Sequence, residues 1–266
     1  MRFPDPVSSF VQCVLAPNPG PMTLSGTNTY VIGAPGSPGS VVVDPGPDDP
    51  GHLDRIVEAA GRVDLVILTH RHADHTGGLA ALLERTGAPS RARLPEFSRG
   101  AQPLHEDETI EAAGTALRIL ATPGHTADSI SVLLPEAGPH GALLTGDTIL
   151  GGSTTMIDHP DGTLADYFAT LDRIETLGEA LILPAHGEPI AGAADEARRL
   201  RGHRLRRLEQ VAEARDRLRD ARPESAAGAD ADDILDIVYA DAPERVRAAA
   251  RASIEAQLSF LRRARG

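Results

Sequence analysis

Short apolar runs separated by Gly, Pro and Asp dominate the first 190 residues of the chain. Runs of this length that are rich in Val, Ile and Leu predict β-strands bounded by turns. Strands are predicted at 29–32, 40–43, 65–69, 116–121, 130–134, 142–145 and 181–183. Helices are predicted at 50–60, 77–86 and 164–177. This mixture indicates a domain of the α/β class.

The pattern changes after Gly192, where Arg-rich stretches with helical spacing of apolar residues replace the short runs. Helices are predicted at 195–222, at 232–239 and from 244 to the end, with a linker at 223–230. Asp241 and the acidic residue three positions later are typical of a helix start. The chain is therefore predicted to contain a main domain, 1–194, and a small helical domain, 195–266.

Charge is distributed unevenly between these two parts. The net charge is −12, and all basic residues are Arg because the chain has no Lys. Residues 1–194 carry 10 Arg and 24 acidic residues, whereas residues 195–266 carry 16 Arg and 14 acidic residues. An acidic main domain disfavours binding of polyanions there, because nucleic-acid partners need a positive field.

The single cysteine and the first ten residues bear on location. Cys13 has no partner for an intramolecular disulfide, which favours a reducing compartment. The N-terminal segment has Pro4, Asp5 and Pro6 where a signal peptide needs an apolar run. No segment reaches the apolar length needed to span a membrane. A cytoplasmic protein without a membrane partner is expected.

Side chains that bind metals follow several predicted strands. Four of them lie within THRHADH, residues 69–75, and three more come shortly after later strands. Loops at strand ends collect binding groups because the sheet fixes where each loop begins. Imidazole and carboxylate groups are good zinc ligands. The predicted ligands are His70, His72, Asp74, His75, His125, Asp147 and His186.

The spacing of these ligands suits two ions. One ion is assigned His70, His72 and His125, the other Asp74, His75 and His186, with Asp147 shared. Two ions about 3.5–4 Å apart can hold a bridging hydroxide, lower the pKa of its parent water and clamp substrate oxygens. We expect two divalent ions, with zinc first and manganese or iron as alternatives. Asp74 is also the predicted catalytic residue, which orients the nucleophile and takes or returns its proton.

The segment from His70 to His75 resembles the HxHxDH motif of the metallo-β-lactamase superfamily, and the resemblance covers residues 10–190. It implies an αββα sandwich with a dinuclear site at one edge, in which Asp147 matches the bridging aspartate. The commonest antibiotic-cleaving class has a Cys near that position. Here the only cysteine, Cys13, lies far upstream, so β-lactamase activity is not expected.

A closer resemblance, over nearly the whole chain, is to the β-lactamase-like protein 2 family. Its motifs are matched at 26–30, 44–46, 69–78, 123–126 and 146–147, and its winged-helix region at 202–204 and 234–239. The resemblance implies a winged-helix-like tail. It also implies cleavage of single-stranded RNA in some members and thioester hydrolysis in other relatives.

Three further residues, Asn28, Thr154 and Thr155, are predicted to contact substrate, because Asn and Thr can hydrogen-bond an oxygen beside the ions. The alternative is that Asn28 orders a turn and the threonines cap a loop. Arg71 and four spare histidines are expected at the solvated surface, namely His52, His105, His140 and His159.

Three functions remain open at this point. A phosphodiesterase acting on single-stranded RNA is favoured by the whole-chain resemblance and by the 10 Arg against 6 acidic residues in 195–222. A hydrolase of small acyl esters or thioesters, like glyoxalase II or a polyketide thioesterase, fits the acidic main domain. The third is a nucleic-acid-binding module with a vestigial metal site. The apolar stripe of the tail packs on the main domain or, in a homodimer, on a second subunit.

Overall fold

The computed structural model describes residues 7–221, 230–241 and 243–263. Within these residues the strands form two five-stranded sheets. The first sheet contains, in order, β1 (Val11–Leu15), β2 (Asn28–Ile32), β3 (Ser40–Val43), β4 (Val63–Ile67) and β5 (Ser90–Arg91). The second contains β6 (Thr109–Ala112), β7 (Thr115–Ala121), β8 (Ile130–Leu134), β9 (Ala142–Gly146) and β10 (Leu181–Pro184), in reverse order across the sheet.

Both sheets are mixed. Strands β3, β4 and β5 run parallel, as do β9 and β10, and the remaining neighbours are antiparallel. The carboxyl ends of parallel neighbours lie at the same edge of a sheet. Two backbone hydrogen bonds join the sheets near these ends, from Ile130 N to the Thr69 carbonyl at 2.9 Å and from Asn28 N to the Ala185 carbonyl at 2.7 Å.

The two sheets pack face to face through alternate residues of their strands. Tyr30 and Ile32 of β2 belong to the same buried cluster as Ile119 of β7 and Leu144 of β9. Val31, between the first two, faces the other way because successive side chains alternate across a sheet. Every residue of β2 and of β9 is buried, as expected for strands that are covered on both faces.

Helices cover the outer faces of both sheets. The helices are α1 (Pro50–Ala60), α2 (Ala73–Thr76), α3 (Leu79–Thr86), α4 (Leu164–Glu175), α5 (Ala193–Ala221), α6 (Ala231–Val238) and α7 (Glu244–Arg263). Helices α1 and α3 pack on the first sheet, and α4 packs on the second. The αββα sandwich is therefore confirmed.

The C-terminal helices extend the layer beside the second sheet. Leu200 of α5 and Ala256 of α7 lie in the apolar cluster that also contains α4. Further along, Val211 of α5 packs with α6 and α7 in a separate cluster. The mainly helical tail is confirmed. Its described residues include no strand, so the winged-helix-like form and the boundary at 194 stay predictions.

Several predicted boundaries differ from those of the structure. Strands β1, β5 and β6 were not predicted, since β1 is interrupted by polar Gln12 and β5 has only two residues. The predicted helix 77–86 corresponds to α3, which begins at Leu79, and the short helix α2 before it was not predicted. Gly77 and Gly78 separate the two helices. A Cβ on Gly78 would lie 2.9 Å from Leu53 Cδ2 and 3.0 Å from the Pro47 carbonyl oxygen, so only glycine fits there.

Two further sequence predictions concern the tail and the membrane. Most of the predicted linker, 223–229, lies outside the described residues. Among the helices of the described ranges, none combines the length and apolar character that crossing a bilayer requires.

Candidate metal centre

Three ring nitrogens meet at the edge of the sandwich where the strands end. His72 Nδ1 lies 3.1 Å from His70 Nε2 and 3.1 Å from His125 Nε2. Nitrogen ligands about 2.0–2.1 Å from a tetrahedral zinc ion are spaced about 3.4 Å apart. These three histidines, the first cluster, are therefore placed to hold one ion.

A second set of ligands lies beside the first. His186 Nε2 is 3.2 Å from Asp74 Oδ2, and His75 Nε2 is 3.6 Å from the same oxygen. These three residues are the second cluster. They come together because His72 is extended and a single helical turn begins at the next residue, which directs Asp74 and His75 away from the first cluster.

Asp147 lies between the clusters, one carboxylate oxygen toward each. Its Oδ1 is 3.4 Å from His75 Nε2 and 3.3 Å from His186 Nε2, while its Oδ2 is 3.7 Å from His125 Nε2. Gly146 before it has a φ of +51°, and a Cβ there would lie 2.6 Å from Thr69 Oγ1. Glycine therefore allows the end of β9 to approach β4 closely enough for both to supply ligands.

The donor atoms of this site fit a cation. His75 Nε2, His186 Nε2 and Asp147 Oδ1 are buried and lack a hydrogen-bond partner among the described residues. Leaving one buried polar atom unsatisfied costs about 1–3 kcal/mol, so three converging on one point need an explanation. A divalent ion bound by imidazole nitrogens and carboxylate oxygens supplies it.

Comparison with known proteins agrees with this geometry. The family model of the metallo-beta-lactamase superfamily matches residues 22–186, which include all seven predicted ligands. The chain belongs to this superfamily. It is accordingly a metal-dependent hydrolase, as predicted.

Individual members of the superfamily match over most of the chain. A beta-lactamase-like protein 2 homolog from Caenorhabditis elegans is 31% identical over 267 residues, covering 96% of this chain and 85% of that protein. An atrochrysone carboxyl ACP thioesterase from Aspergillus chevalieri is 32% identical over 240 residues, covering 88% and 74%. The crystal structure of a metallo-beta-lactamase family protein from Thermus thermophilus superposes with a TM-score of 0.75 at 24% identity, covering 95% and 93%.

As in other metal sites, the second nitrogen of each ligand histidine is held by the protein. His125 Nδ1 donates to the Met156 carbonyl at 2.7 Å, and His186 Nδ1 donates to the Gly26 carbonyl at 3.0 Å. His72 Nε2 lies 3.2 Å from Asp158 Oδ2. These contacts select the tautomers whose opposite nitrogens face the metal position.

Asp44 is the most connected of these supporting residues, and the sequence did not identify it as part of the site. Its Oδ2 accepts from His75 Nδ1 at 2.8 Å and from Thr69 Oγ1 at 2.6 Å, while its Oδ1 accepts from Thr69 N at 2.8 Å. The backbone at Asp44 has a φ of +52°, which Asp tolerates better than most residues. The only sequence signal was an Asp-Pro-Gly turn after a strand.

Burial governs the protonation of the first cluster. It lowers the pKa of His70 well below the ordinary value, and neighbouring histidines act in the same direction. Burial also lowers the pKa of His125, against the opposing effect of Asp147. Both imidazoles are therefore neutral near pH 7, the form that binds a metal ion.

Carboxylates govern the protonation of the second cluster. Burial tends to lower the pKa of His75, but Asp44 and Asp147 outweigh it and raise that pKa well above the ordinary value. Asp147 and Asp74 likewise outweigh burial and raise the pKa of His186. Burial tends to raise the pKa of Asp147, but His75 and His186 hold it well below the ordinary value.

Two of the residues expected at the surface are not there. Arg71 is half-buried and forms ion pairs with Asp158 at 2.6 Å and Asp161 at 3.4 Å. His52 is fully buried, with its Nε2 3.0 Å from Thr29 Oγ1. Burial, with help from a nearby arginine, lowers the pKa of His52 to about 4. Both surface predictions were wrong because the partners come from distant parts of the chain.

Asn28 lies deep beside the second cluster. Its side-chain nitrogen donates to the carbonyls of Pro184 at 2.9 Å and Gly187 at 3.0 Å, on either side of His186. Asn28 is fully buried. These bonds hold the loop that contains His186. They agree with the alternative interpretation of Asn28, in which it orders a turn. A direct contact with substrate stays a prediction.

Thr154 and Thr155 line a cavity of about 300 Å³ between the metal centre and the tail. Thr155 is buried, with its Oγ1 3.2 Å from His125 Nδ1, while Thr154 is half-buried. The ligands His125 and Asp147 line the same cavity. The structure thus brings the two threonines to the site, next to a metal ligand.

Proposed function

We propose that this chain hydrolyses thioesters at a centre of two divalent metal ions, with zinc as the native metal. The cavity carries this proposal, because its lining combines two metal ligands with apolar side chains such as Leu24, Leu150 and Val246. A volume of about 300 Å³ is at the lower end of the range for small-molecule sites, roughly 300–1,000 Å³. A short acyl chain suits such a space.

Two ions rather than one are supported by the positions of the carboxylates. Asp147 offers one oxygen to each cluster, and His70, His72 and His125 complete one set of ligands without drawing on the other. Two ions held this way would acidify a water molecule and polarise the carbonyl group of the substrate.

Asp74 is the residue that we assign to proton transfer. Its side chain is 30% exposed, whereas those of His75 and His186 are fully buried, so it is the second-cluster residue most accessible to water. Burial tends to raise its pKa, but the imidazoles of His186 and His75 together outweigh burial and lower it. The ionised carboxylate can orient a water molecule and accept its proton as it attacks.

The relatives support a thioester substrate. The Aspergillus chevalieri protein, named as an ACP thioesterase, is 32% identical to this chain over 88% of its length. A match of this extent makes a related reaction the natural expectation.

Cleavage of single-stranded RNA is the second candidate, and the charges on α5 bear on it. Most arginines of this helix form ion pairs within the chain, which leaves little free positive charge for a track of phosphates. The paired residues are Arg198, Arg199, Arg201, Arg215, Arg217 and Arg219. Arg204 and Arg207 line the cavity, where they could contact one phosphate. We therefore rank RNA below thioesters.

One purified sample decides between these substrates. Zinc-loaded protein is assayed with butyryl N-acetylcysteamine thioester and with a single-stranded RNA oligonucleotide, at low and at high salt. We expect thioester turnover that is insensitive to salt and abolished by chelation. RNA cleavage that falls steeply with salt, without thioester turnover, would replace the proposal with the second candidate.

A further inference from the structure

The inner face of α5 carries positive charge where apolar residues are expected. Leu200 and Val211 on this face are buried in two apolar clusters. Between them, at helical spacing, lie His203, Arg204 and Arg207. All three line the cavity next to the metal centre. Two arginines and a histidine thus take the place of apolar residues where the helix passes the site.

Arg204 is a buried cation without an acidic partner. Its side chain is 4% exposed, and it forms no ion pair with another described residue. One terminal nitrogen donates to the Thr155 carbonyl, and the guanidinium carbon lies 5.3 Å from the centre of the Tyr167 ring. Its Nε is buried and has no hydrogen-bond partner among the described residues. A buried charge left in this condition costs free energy unless a counter-charge binds.

Arg207, one turn further along, is placed in a similar way. It is half-buried, and its guanidinium carbon lies 4.5 Å from the centre of the Tyr239 ring. Its Nη1 donates to Gln210 Oε1 at 2.9 Å and to the Val238 carbonyl at 3.2 Å, both neutral acceptors. It too forms no ion pair with a described residue, in contrast to most other arginines of the helix.

We propose that Arg204 and Arg207 form a subsite that binds an anionic group of the substrate, a carboxylate or a phosphate. Guanidinium groups bind both through paired, charge-assisted hydrogen bonds. The anion belongs to the acyl chain if it is a carboxylate, and to the phosphopantetheine arm of the thiol if it is a phosphate. This subsite rests on the proposed thioester hydrolysis and narrows its substrate class to anionic thioesters.

His203 lies beside these two arginines, and its pKa is affected by their charge. Burial lowers the pKa of His203, and the guanidinium groups of Arg204 and Arg207 lower it further. The local field is therefore positive, which favours an anion at this end of the cavity. The same cavity is also lined by the metal ligands His125 and Asp147. One substrate can thus place its anionic group near α5 and its thioester near the metal ligands.

Three thioesters test the subsite in the zinc-loaded protein. Butyryl N-acetylcysteamine is uncharged. In succinyl N-acetylcysteamine a carboxylate replaces the terminal methyl group of the acyl chain, and in butyryl 4′-phosphopantetheine the thiol has a longer arm that ends in a phosphate. We expect kcat/KM to be about tenfold or more higher for one of the anionic substrates than for the uncharged one. A preference for the succinyl substrate would place the anion on the acyl chain, and a preference for the phosphopantetheine substrate would place it on the thiol.

Two variants and a matched control complete this experiment. Arg204→Gln and Arg207→Gln should each erase most of the preference, whereas Arg206→Gln, on the exposed side of the same helix, should retain it. Arg204 also binds the loop that contains Thr155, so the Arg204→Gln variant could fail to fold. In that case the result for Arg207→Gln alone tests the subsite. Equal kcat/KM for all three thioesters, or a preference that survives in Arg207→Gln, would overturn the proposal.

A binding measurement separates this proposal from the proposed function. Inorganic phosphate is titrated into the zinc-loaded protein and its variants by calorimetry. We expect affinity to fall about tenfold in Arg207→Gln and to stay unchanged in Arg206→Gln. If none of the thioesters is hydrolysed and this difference is found, the subsite stands and thioester hydrolysis fails. If phosphate binds all variants equally, or does not bind, the subsite fails.

Discussion

The two ligand clusters lie side by side but differ in chemistry. The first cluster is three histidines, and burial keeps His70 and His125 neutral near pH 7. The second cluster combines Asp74 with His75 and His186, whose pKa values the surrounding carboxylates raise. Protons therefore compete with an ion more strongly at His75 and His186 than at His70 and His125. Proximity in one site does not make the two positions equivalent.

The largest effect is expected from Asp147→Asn, because this residue serves both clusters. The amide keeps the shape of the carboxylate but removes the charge that faces His75, His186 and His125. We expect thioester turnover to fall about a thousandfold or more, since a metal centre supplies several kcal/mol of charge stabilisation. Metal content by mass spectrometry should fall as well. The exposed Asp48→Asn serves as control, and unchanged metal content and rate in Asp147→Asn would contradict a shared ligand.

Asp74→Ala should separate the clusters. It removes a ligand from the second cluster and leaves His70, His72 and His125 intact. One equivalent of metal should remain, and kcat should fall about a hundredfold or more because proton transfer is lost as well. If two equivalents stay bound and turnover is unchanged, Asp74 has neither of the roles that we assign to it.

A smaller effect is expected from Asp44→Asn, which acts on the second cluster through His75. Asn also tolerates the left-handed backbone at this position, so the fold should survive. Loss of a carboxylate partner to a ligand histidine costs about 10–100-fold in metal affinity. A stepwise zinc titration should show the larger loss for the second equivalent, because Asp44 reaches the first cluster only through Thr69 Oγ1, which lies 3.1 Å from His70 Nδ1. Equal weakening of both equivalents would mean that the clusters are not independent.

The mildest test is the pH dependence of metal binding. Because the pKa values of His75 and His186 are raised above the ordinary 6.5, these residues hold protons that compete with the second ion. That competition disappears as pH rises through the raised pKa values, so affinity for the second equivalent should increase by up to about tenfold per pH unit for each proton displaced. Calorimetry in buffers of different ionisation enthalpy measures the protons. If protons are released only when the first equivalent of metal binds, the assignment of the protonated histidines to the second cluster is wrong.

The sequence predicted the ligands far better than the residues that hold them. His70 to His75 form a dense local motif, and His125, Asp147 and His186 each follow a strand, so spacing alone indicates them. Asp44 contacts His75, 31 positions along the chain, and Asp158 contacts His72, 86 positions away. No local sequence pattern predicts contacts between residues so far apart. The same holds for His52, whose burial depends on Thr29.

The fold shows the same division between local and distant information. Strands with runs of Val or Leu, such as β3 and β9, were predicted nearly to their ends, whereas the polar edge strand β6 was not. In α5, sequence alone does not distinguish the exposed Arg206 from the buried Arg204. Their difference depends on where the helix passes the cavity, which Arg204 lines and Arg206 does not.

The most direct test of a dinuclear thioester hydrolase is a zinc titration of the metal-depleted protein followed by its rate of butyryl N-acetylcysteamine hydrolysis. We predict that the first equivalent, bound by His70, His72 and His125, restores little activity and that the rate rises to its maximum as the second equivalent binds. Full activity after one equivalent, or hydrolysis that does not depend on added metal, would contradict the account.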